Sequence, residues 1–277
     1  MANSENFLVI VRNAMEKEAS THPDISAQYL DAENDVLKQL DQVKNLISQN
    51  VDAIIVNPVD SSFTPQITKL ANEANIPLVY VNRAPAETDL PKNVVFVGSD
   101  EHYSGDMQIK EIARILDNKG NIAILQGDVG TGPGILRTEK VEEFAKTQPD
   151  MKVVLKDPAN FLRTQAKDVV TTWLTLGEKI DAIAANNDEM VIGAIIALEA
   201  AGIDPKTVII GGIDATPDAM DMMKQGKLAL TVFQDAAGQG KGSMDAAIKM
   251  ADGQTVEHFV WIRFQLVTPE IMGKYTQ

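Results

Sequence analysis

Val208-Ile-Ile-Gly-Gly-Ile-Asp-Ala-Thr-Pro-Asp218 is the stretch whose reading decides the fold. It reads as a buried parallel strand that ends in the carboxylate of Asp214 and turns into a helix opened by Pro217. In an open α/β sheet, ligands bind outside the carboxyl ends of the strands, so Asp214 lies at a binding edge. Other apolar runs end in the same way. Pro77-Leu-Val-Tyr-Val81 runs into Asn82-Arg83, Ala182 to Ala184 leads to Asn186-Asn187, and Leu228 to Phe233 leads to Gln234.

Working outward, strands and helices alternate. The apolar spacing of Phe7, Ile10, Val11, Ala14 and Met15 predicts a helix from Phe7 to Ala19. Ile25 to Leu30 alternates as a strand does. Asn34 is the expected cap of a helix striped by Val36, Leu37, Leu40, Val43, Leu46 and Ile47. Further strands are expected at Ala53–Val56, Val94–Val97, Ile122–Leu125 and Lys152–Leu155, with Phe259–Val267 mostly extended. The intervening helices are Thr64–Ala74, Tyr103–Leu116, Ile135–Ala145, Thr164–Leu176, Glu189–Ala200, Pro217–Lys224 and Gly238–Ala251. This alternation gives parallel sheets in a doubly wound α/β architecture. More than eight strands is a lot for one sheet, so two similar halves are expected, with a crossing near Ser99-Asp100.

The composition narrows the function. A formal net charge of -14 argues against nucleic acid and against an anionic membrane surface. With no cysteine there is no disulfide framework, thiolate ligand or thiol nucleophile. No apolar run reaches membrane-span length. The N-terminus carries no basic segment followed by an apolar one, which fits a cytosolic chain or one whose signal peptide has been removed.

Asn82, Arg83, Asn187, Asp214 and Gln234 form the main candidate set. Amide, guanidinium and carboxylate groups suit a polyhydroxylated neutral ligand, because each hydroxyl both donates and accepts and bidentate groups satisfy vicinal pairs. Each residue alone also reads as a cap or turn former; five at equivalent strand ends weigh toward a ligand. Arg137, just after the loop Gly127-Asp-Val-Gly-Thr-Gly-Pro-Gly134, is either a solvated surface arginine or a ligand contact. That loop fails as a dinucleotide fingerprint because position 135 is Ile, and Gly238-Gln-Gly-Lys-Gly-Ser243 fails as a phosphate loop because Gly follows Lys241. Phe7, Phe161 and Phe233 are either core residues or faces for a sugar ring. His22, His102 and His258 lack metal spacing and read as surface residues. Asp188-Glu189 and Glu142-Glu143 read as first-turn helix charges. No Ser/His/Asp order or glycosidase-like carboxylate pair stands out, and no cofactor is implied.

One ordered set of residues resembles a known family. Asn57-Pro58, Ile76-Pro77, Asn82-Arg83, Leu125-Gln126-Gly127, Arg137-Thr-Glu139, Asn187-Asp-Glu-Met190, Asp214-Ala-Thr-Pro-Asp218 and Gln234 together are similar to periplasmic sugar-binding proteins of the ribose/galactose type, the solute receptors of ABC importers. The resemblance implies a periplasmic, non-enzymatic protein of two parallel-sheet lobes joined by a three-segment hinge. Its lobes would be 1–99 with 236–263, and 100–235 with 264–277. It also implies a neutral monosaccharide or cyclitol held between them, and an ABC permease as partner. By resemblance, Phe7 and Phe161 would sandwich the ring, and Asn82, Arg83, Arg137, Asn187, Asp214 and Gln234 would bind hydroxyls. Asn6 is a looser correspondence. Asn82-Arg83-Ala-Pro85, Gly134-Ile-Leu-Arg-Thr-Glu139 and Trp261-Ile-Arg-Phe-Gln-Leu-Val-Thr268 resemble the myo-inositol-binding branch most, with ribose binders next.

Three departures from the family pattern stand out. The family begins with a strand that the residues before Phe7 do not supply; it would lie between Ile25–Leu30 and Ala53–Val56. Four large apolar side chains at roughly 1.5–3 kcal/mol each approach a domain's whole net stability of about 5–15 kcal/mol, so an empty slot is not expected. The expectation is a shortened chain or a strand supplied by rearrangement or by another chain, and otherwise a monomer. Arg263 stands where Pro is usual near the last crossing, and Lys140 where Gly is usual after Arg-Thr-Glu; both fit an engineered variant. The rival readings are the sensing core of a LacI-type regulator, which needs a DNA-binding segment that Met1 to Phe7 cannot supply, and a sugar-processing enzyme.

Overall fold

Helix α1 (Asn6–Ala19) opens the computed structural model, which describes residues 6–275. Phe7, Leu8, Val11, Met15 and Ala19 make its buried stripe. Helix α2 (Val36–Ser48) is capped by Asp35, whose side chain accepts from Lys38 N, and not by Asn34. Asn34 sits one position too early, at φ 59°, outside the extended backbone that a cap needs. The chain continues through β1 (Ile54–Val56), α3 (Thr64–Glu73), β2 (Leu78–Val81) and β3 (Val94–Gly98).

After β3 come α4 (Ser104–Ile115), β4 (Gly120–Gln126), α5 (Gly132–Thr147), β5 (Met151–Pro158), α6 (Arg163–Leu176), β6 (Ala182–Ala185) and α7 (Asp188–Ala200). Strand β7 (Ile209–Gly211), helix α8 (Pro217–Lys224), strand β8 (Thr231–Phe233), helix α9 (Ala236–Ala251) and strands β9 (Phe259–Trp261) and β10 (Gln265–Val267) complete it.

The chain divides into two units, one of residues up to Ser99 with Asp235–Arg263, the other of Asp100–Gln234 with the residues from Phe264 on. Asp235 goes with the first unit, where its side chain caps α9 by accepting from Gly238 N at 2.8 Å.

The first unit holds a sheet ordered β1-β2-β3-β9, with every pair parallel. Strands β2 and β3 are buried along their whole length, as their unbroken apolar sequence requires. The expected strand Ile25–Leu30 does not pair into this sheet. A strand exists only through a ladder partner, and among the described residues none lies beside it or on the outer edge of β1. Ile25 and Tyr29 instead pack against the cluster of Phe7, Leu8, Val11, Met15 and Val81. The anticipated slot between Ile25–Leu30 and β1 is therefore not framed by two strands. The lack of a side chain at Gly240 lets helix α1 lie close on α9, since a Cβ there would collide with the carbonyl oxygen of Val11. Packing, and not phosphate binding, accounts for that glycine-rich run.

The second unit holds a parallel sheet ordered β5-β4-β6-β7. Parallel bridges from Gly211 to Leu230 and from Asp214 to Phe233 carry it toward β8, which pairs antiparallel with β10. The order reverses at β4, whose successors lie on opposite sides of it, so a topological switch point opens between β4 and β6. Helix α7 is buried on nearly all faces, as DEMVIGAIIALEA demands. Lys140 lies where α5 passes α4, its Cβ 3.0 Å from where a side chain on Gly105 would begin, and its Nζ bonds Glu143. Arg263 is exposed between β9 and β10.

Candidate functional site

The switch point of the second unit collects polar groups that ordinary packing would exclude. The loop after β4 turns into α5 through Thr131, whose hydroxyl caps Gly134 N, and Arg137 follows within the first turns. Its guanidinium is buried at 3% exposure. Nε and Nη2 donate to the two carboxylate oxygens of Glu101, both at 2.8 Å. Nη2 also donates to Gln234 Oε1 at 3.2 Å, and Nη1 donates to the Asn186 carbonyl at 2.7 Å and lies 3.9 Å from Asp214 Oδ1. The ring of Phe264 lies 5.9 Å beneath. Burial works against the charge of Arg137, but Glu101 and then Asp214 more than offset it, so the group holds its proton more tightly than usual.

Asp214 leaves the end of β7 at φ 126°, followed by Ala215 at 55°. Two side-chain-bearing residues in succession at positive φ store strain that the surroundings must hold. Asp188 is one such hold. It is wholly buried, accepts from Thr216 N at 2.9 Å and from Thr231 Oγ1 at 2.8 Å, and so ties the turn to β8. Whereas Glu142-Glu143 lie in the C-terminal half of α5 and not in its first turn, the reading of Asp188-Glu189 as first-turn helix charges holds, with the Asp188 side chain pointing into the unit. Glu189 beside it is held by Arg163, which also reaches Asp218.

Burial pushes the Asp188 carboxyl up to about 7, against the lowering effect of its Thr216 and Thr231 bonds. The folded state therefore binds this proton more tightly than the unfolded chain, and the contribution to stability declines as pH rises from about 4 to about 7. Asp188→Asn removes that titration. Melting curves across this range are expected to show the Asn variant gaining on the wild type as pH rises; a constant difference would refute the assignment.

The other expected residues of this unit lie at the same sheet ends. Asn187 caps α7, accepting from Met190 N at 3.0 Å, and donates to the Phe161 carbonyl at 3.3 Å. Phe161 follows Asn160 in the left-handed region, at φ 62° and 51°. Its buried ring lies so close on Gly127 that any Cβ there would overlap it. Gln234 is buried, with its Oε1 turned to Arg137 and its Nε2 lacking any hydrogen-bond partner. Phe233, one of the aromatic candidates, packs instead against Tyr275 at 5.2 Å between ring centres.

In the first unit, Asn82 follows β2 at φ 66°. Its Nδ2 donates to Gln239 Oε1 at 3.1 Å, and its Oδ1 accepts from Asn57 Nδ2 at 3.3 Å. Gln239 continues to Ser99 Oγ at 3.1 Å, so the ends of β1, β2 and β3 are joined to α9 by one amide network. Arg83 is buried and donates to the carbonyls of Pro58 and Val59 at 3.2 and 3.4 Å. Phe7 is buried among Leu8, Val11 and Val81, while Asn6 is exposed at the start of α1.

Sequence reasoning missed Glu101, Asn186, Ser99 and Gln239 as members of these networks. For Asn186 the signal was present, since it directly follows β6 at the sheet's carboxyl edge, and Glu101 lies just past the crossing that follows β3. Gln239 gave none, being 157 positions from Asn82. Of the histidines, His102 is exposed beside Asp100 and His258 is exposed with a ring nitrogen bonded to the Val94 carbonyl, while His22 is half-buried.

A family model described as a periplasmic binding protein domain matches residues 1–255. The chain belongs to that family. A Rhizobium meliloti protein that carries the name of a rhizopine-binding protein is 46% identical over 98% of this chain and 89% of its own length. The ribose import binding protein of Bacillus subtilis is 32% identical over 95% of this chain and 83% of its own. Among solved structures, an ABC transporter solute-binding protein from Bacillus halodurans, with bound myo-inositol, superposes with a TM-score of 0.95 at 44% identity. That match covers 99% of this chain and 94% of the other. Members of the family are binding proteins, in keeping with a site built of hydrogen-bonding groups around strand ends.

Proposed function

We propose that this chain is a periplasmic receptor that binds a neutral cyclic polyol, myo-inositol ahead of ribose, and presents it to the permease of an ABC importer. The observation that carries the reading is the buried group of Arg137, Asp214, Asn186 and Gln234 at the switch point of the second unit. Gln234 Nε2 is buried there without a partner, a donor that a ligand oxygen would satisfy. The positive charge of Arg137 is already met by Glu101 and Asp214, so the site does not call for an anion. Hydroxyls, which donate and accept together, suit the mixture of amide, carboxylate and guanidinium.

In this reading Arg137, Asn187, Asp214 and Gln234 bind hydroxyls, and Phe161 offers an apolar face. In the first unit, the resemblance to sugar receptors makes Asn82, Arg83, Phe7 and Asn6 ligand residues of this reading as well. The myo-inositol preference is supported by the myo-inositol bound in the Bacillus halodurans protein and the ribose alternative by the Bacillus subtilis relative.

The test is a thermal-shift panel of myo-inositol, ribose, galactose, xylose and arabinose. At a hundredfold excess over Kd a ligand adds about 2.7 kcal/mol of stability, which should raise the melting temperature by roughly 5–10 °C. Myo-inositol is expected to give the largest shift and to be recovered unchanged. A panel with no shift at all would sink the proposal.

A further inference from the structure

We infer that Glu101 is a positioning residue for ligand binding: it fixes the guanidinium plane of Arg137 and, through Arg137, the direction in which the Gln234 amide faces. The inference rests on the reading that Arg137 and Gln234 meet the ligand.

A guanidinium has five N–H donors in a rigid fork. In Arg137, Nε and one hydrogen of Nη2 go to Glu101, the other Nη2 hydrogen goes to Gln234, and one Nη1 hydrogen goes to the Asn186 carbonyl. A single Nη1 hydrogen remains, on the side of Asp214. The two-point contact with Glu101 sets the plane of the fork and thereby where that last hydrogen points. Glu101 is itself held, since Ser104 Oγ donates to its Oε2 at 2.9 Å from the start of α4.

The consequence reaches Gln234. An amide in a buried site can present either its oxygen or its nitrogen to a ligand. Here Nη2 of Arg137 claims the oxygen, which leaves Nε2 as the unpartnered buried donor. Glu101 therefore governs two of the donors that the site presents while lying behind Arg137. Its own two carboxylate oxygens are both occupied by the arginine.

The experiment compares the wild type, Glu101→Asp and Glu101→Gln by calorimetric titration with myo-inositol and by nitrogen-15 NMR of the arginine Nε–H signals. The Arg137 signal is assigned by its loss in Arg137→Lys. Glu101→Asp keeps the charge but shortens the reach by one methylene, so folding is retained while the two-point contact is not. Affinity is expected to fall by about tenfold or more in both variants, the worth of at least one charge-assisted hydrogen bond. Exchange of the Arg137 Nε hydrogen with water is expected to quicken by at least a similar factor, a change that a remote structural role for Glu101 would not produce. Affinity within about twofold of the wild type in Glu101→Asp, or an Nε–H signal that stays slow, overturns the inference. If the wild type binds nothing in the panel, the functional reading fails, and the Nε–H measurement still decides whether Glu101 positions Arg137.

Discussion

Arg137→Met is expected to abolish ligand binding and to lower the melting temperature of the full chain by roughly 10 °C. Removing the guanidinium leaves Glu101 buried at 6% exposure without its cation, and the Asn186 carbonyl and Gln234 Oε1 without their donor. Breaking one partner out of a buried pair costs about 3–5 kcal/mol, because the remaining charge stays desolvated. Each kcal/mol corresponds to about 2–4 °C for a unit of this size. The double variant Arg137→Met with Glu101→Leu separates the two roles. With the Glu101 carboxylate also removed, part of the lost stability should return, the buried Asp214 carboxylate remaining, whereas binding should not. Calorimetric melting and titration of both variants decide the matter; an unchanged melting point in the single variant would show that the pair adds nothing to the fold.

Gly240→Leu is the second large effect expected, and it falls on the other unit. Even the first carbon of a side chain at 240 would collide with the Val11 carbonyl and lie 2.7 Å from Ala14 Cβ. Backbone cannot yield as a side-chain end can, so α1 must leave α9. Undocking exposes Phe7, Leu8, Val11 and Met15, at roughly 1.5–3 kcal/mol for each large apolar side chain. Hydrogen exchange should then show the α1 amides losing protection while those of β4 and β6 keep theirs. Affinity for the panel's best ligand should drop with them if, as proposed, Asn6 and Phe7 of α1 meet the ligand. Protection of α1 at the wild-type level would mean that the helix can shift without leaving.

The same packing explains what the sequence could and could not disclose. Strands β2, β3 and β6 were legible because a strand buried on both faces has no polar option, and LVYV, VVFV and AIAA leave none. Helix α1 was legible by the spacing of Phe7, Val11 and Met15. Ile25–Leu30 was misread because alternation records only which side chains face inward, and pairing needs a neighbour that the pattern does not name. The cap of α2 was placed one residue early because Asn34 and Asp35 share the same capping chemistry, and only φ tells them apart. Strand-end polar residues were legible as a class. Their partners were not, since the bond from Arg137 to Glu101 spans 36 positions and that from Asn82 to Gln239 spans 157. Asp188 shows the limit of a local rule: a carboxylate in the first turn of a helix is usually solvated, and here the turn after β7 draws it inside.

Neither unit is a continuous piece of chain, and this governs the order in which they can be completed during synthesis. The first sheet lacks its β9 neighbour until residues 259–261 have left the ribosome, and α1 lacks α9 until residues 236–251 have. Meanwhile the run from Asp100 to Gln234 already contains β4, β5, β6 and β7 with their helices. The middle of the chain can thus settle its parallel sheet while its beginning still waits for the end, and a nascent polypeptide arrested near residue 240 would leave the first sheet without β9 and β8 of the second unit without β10.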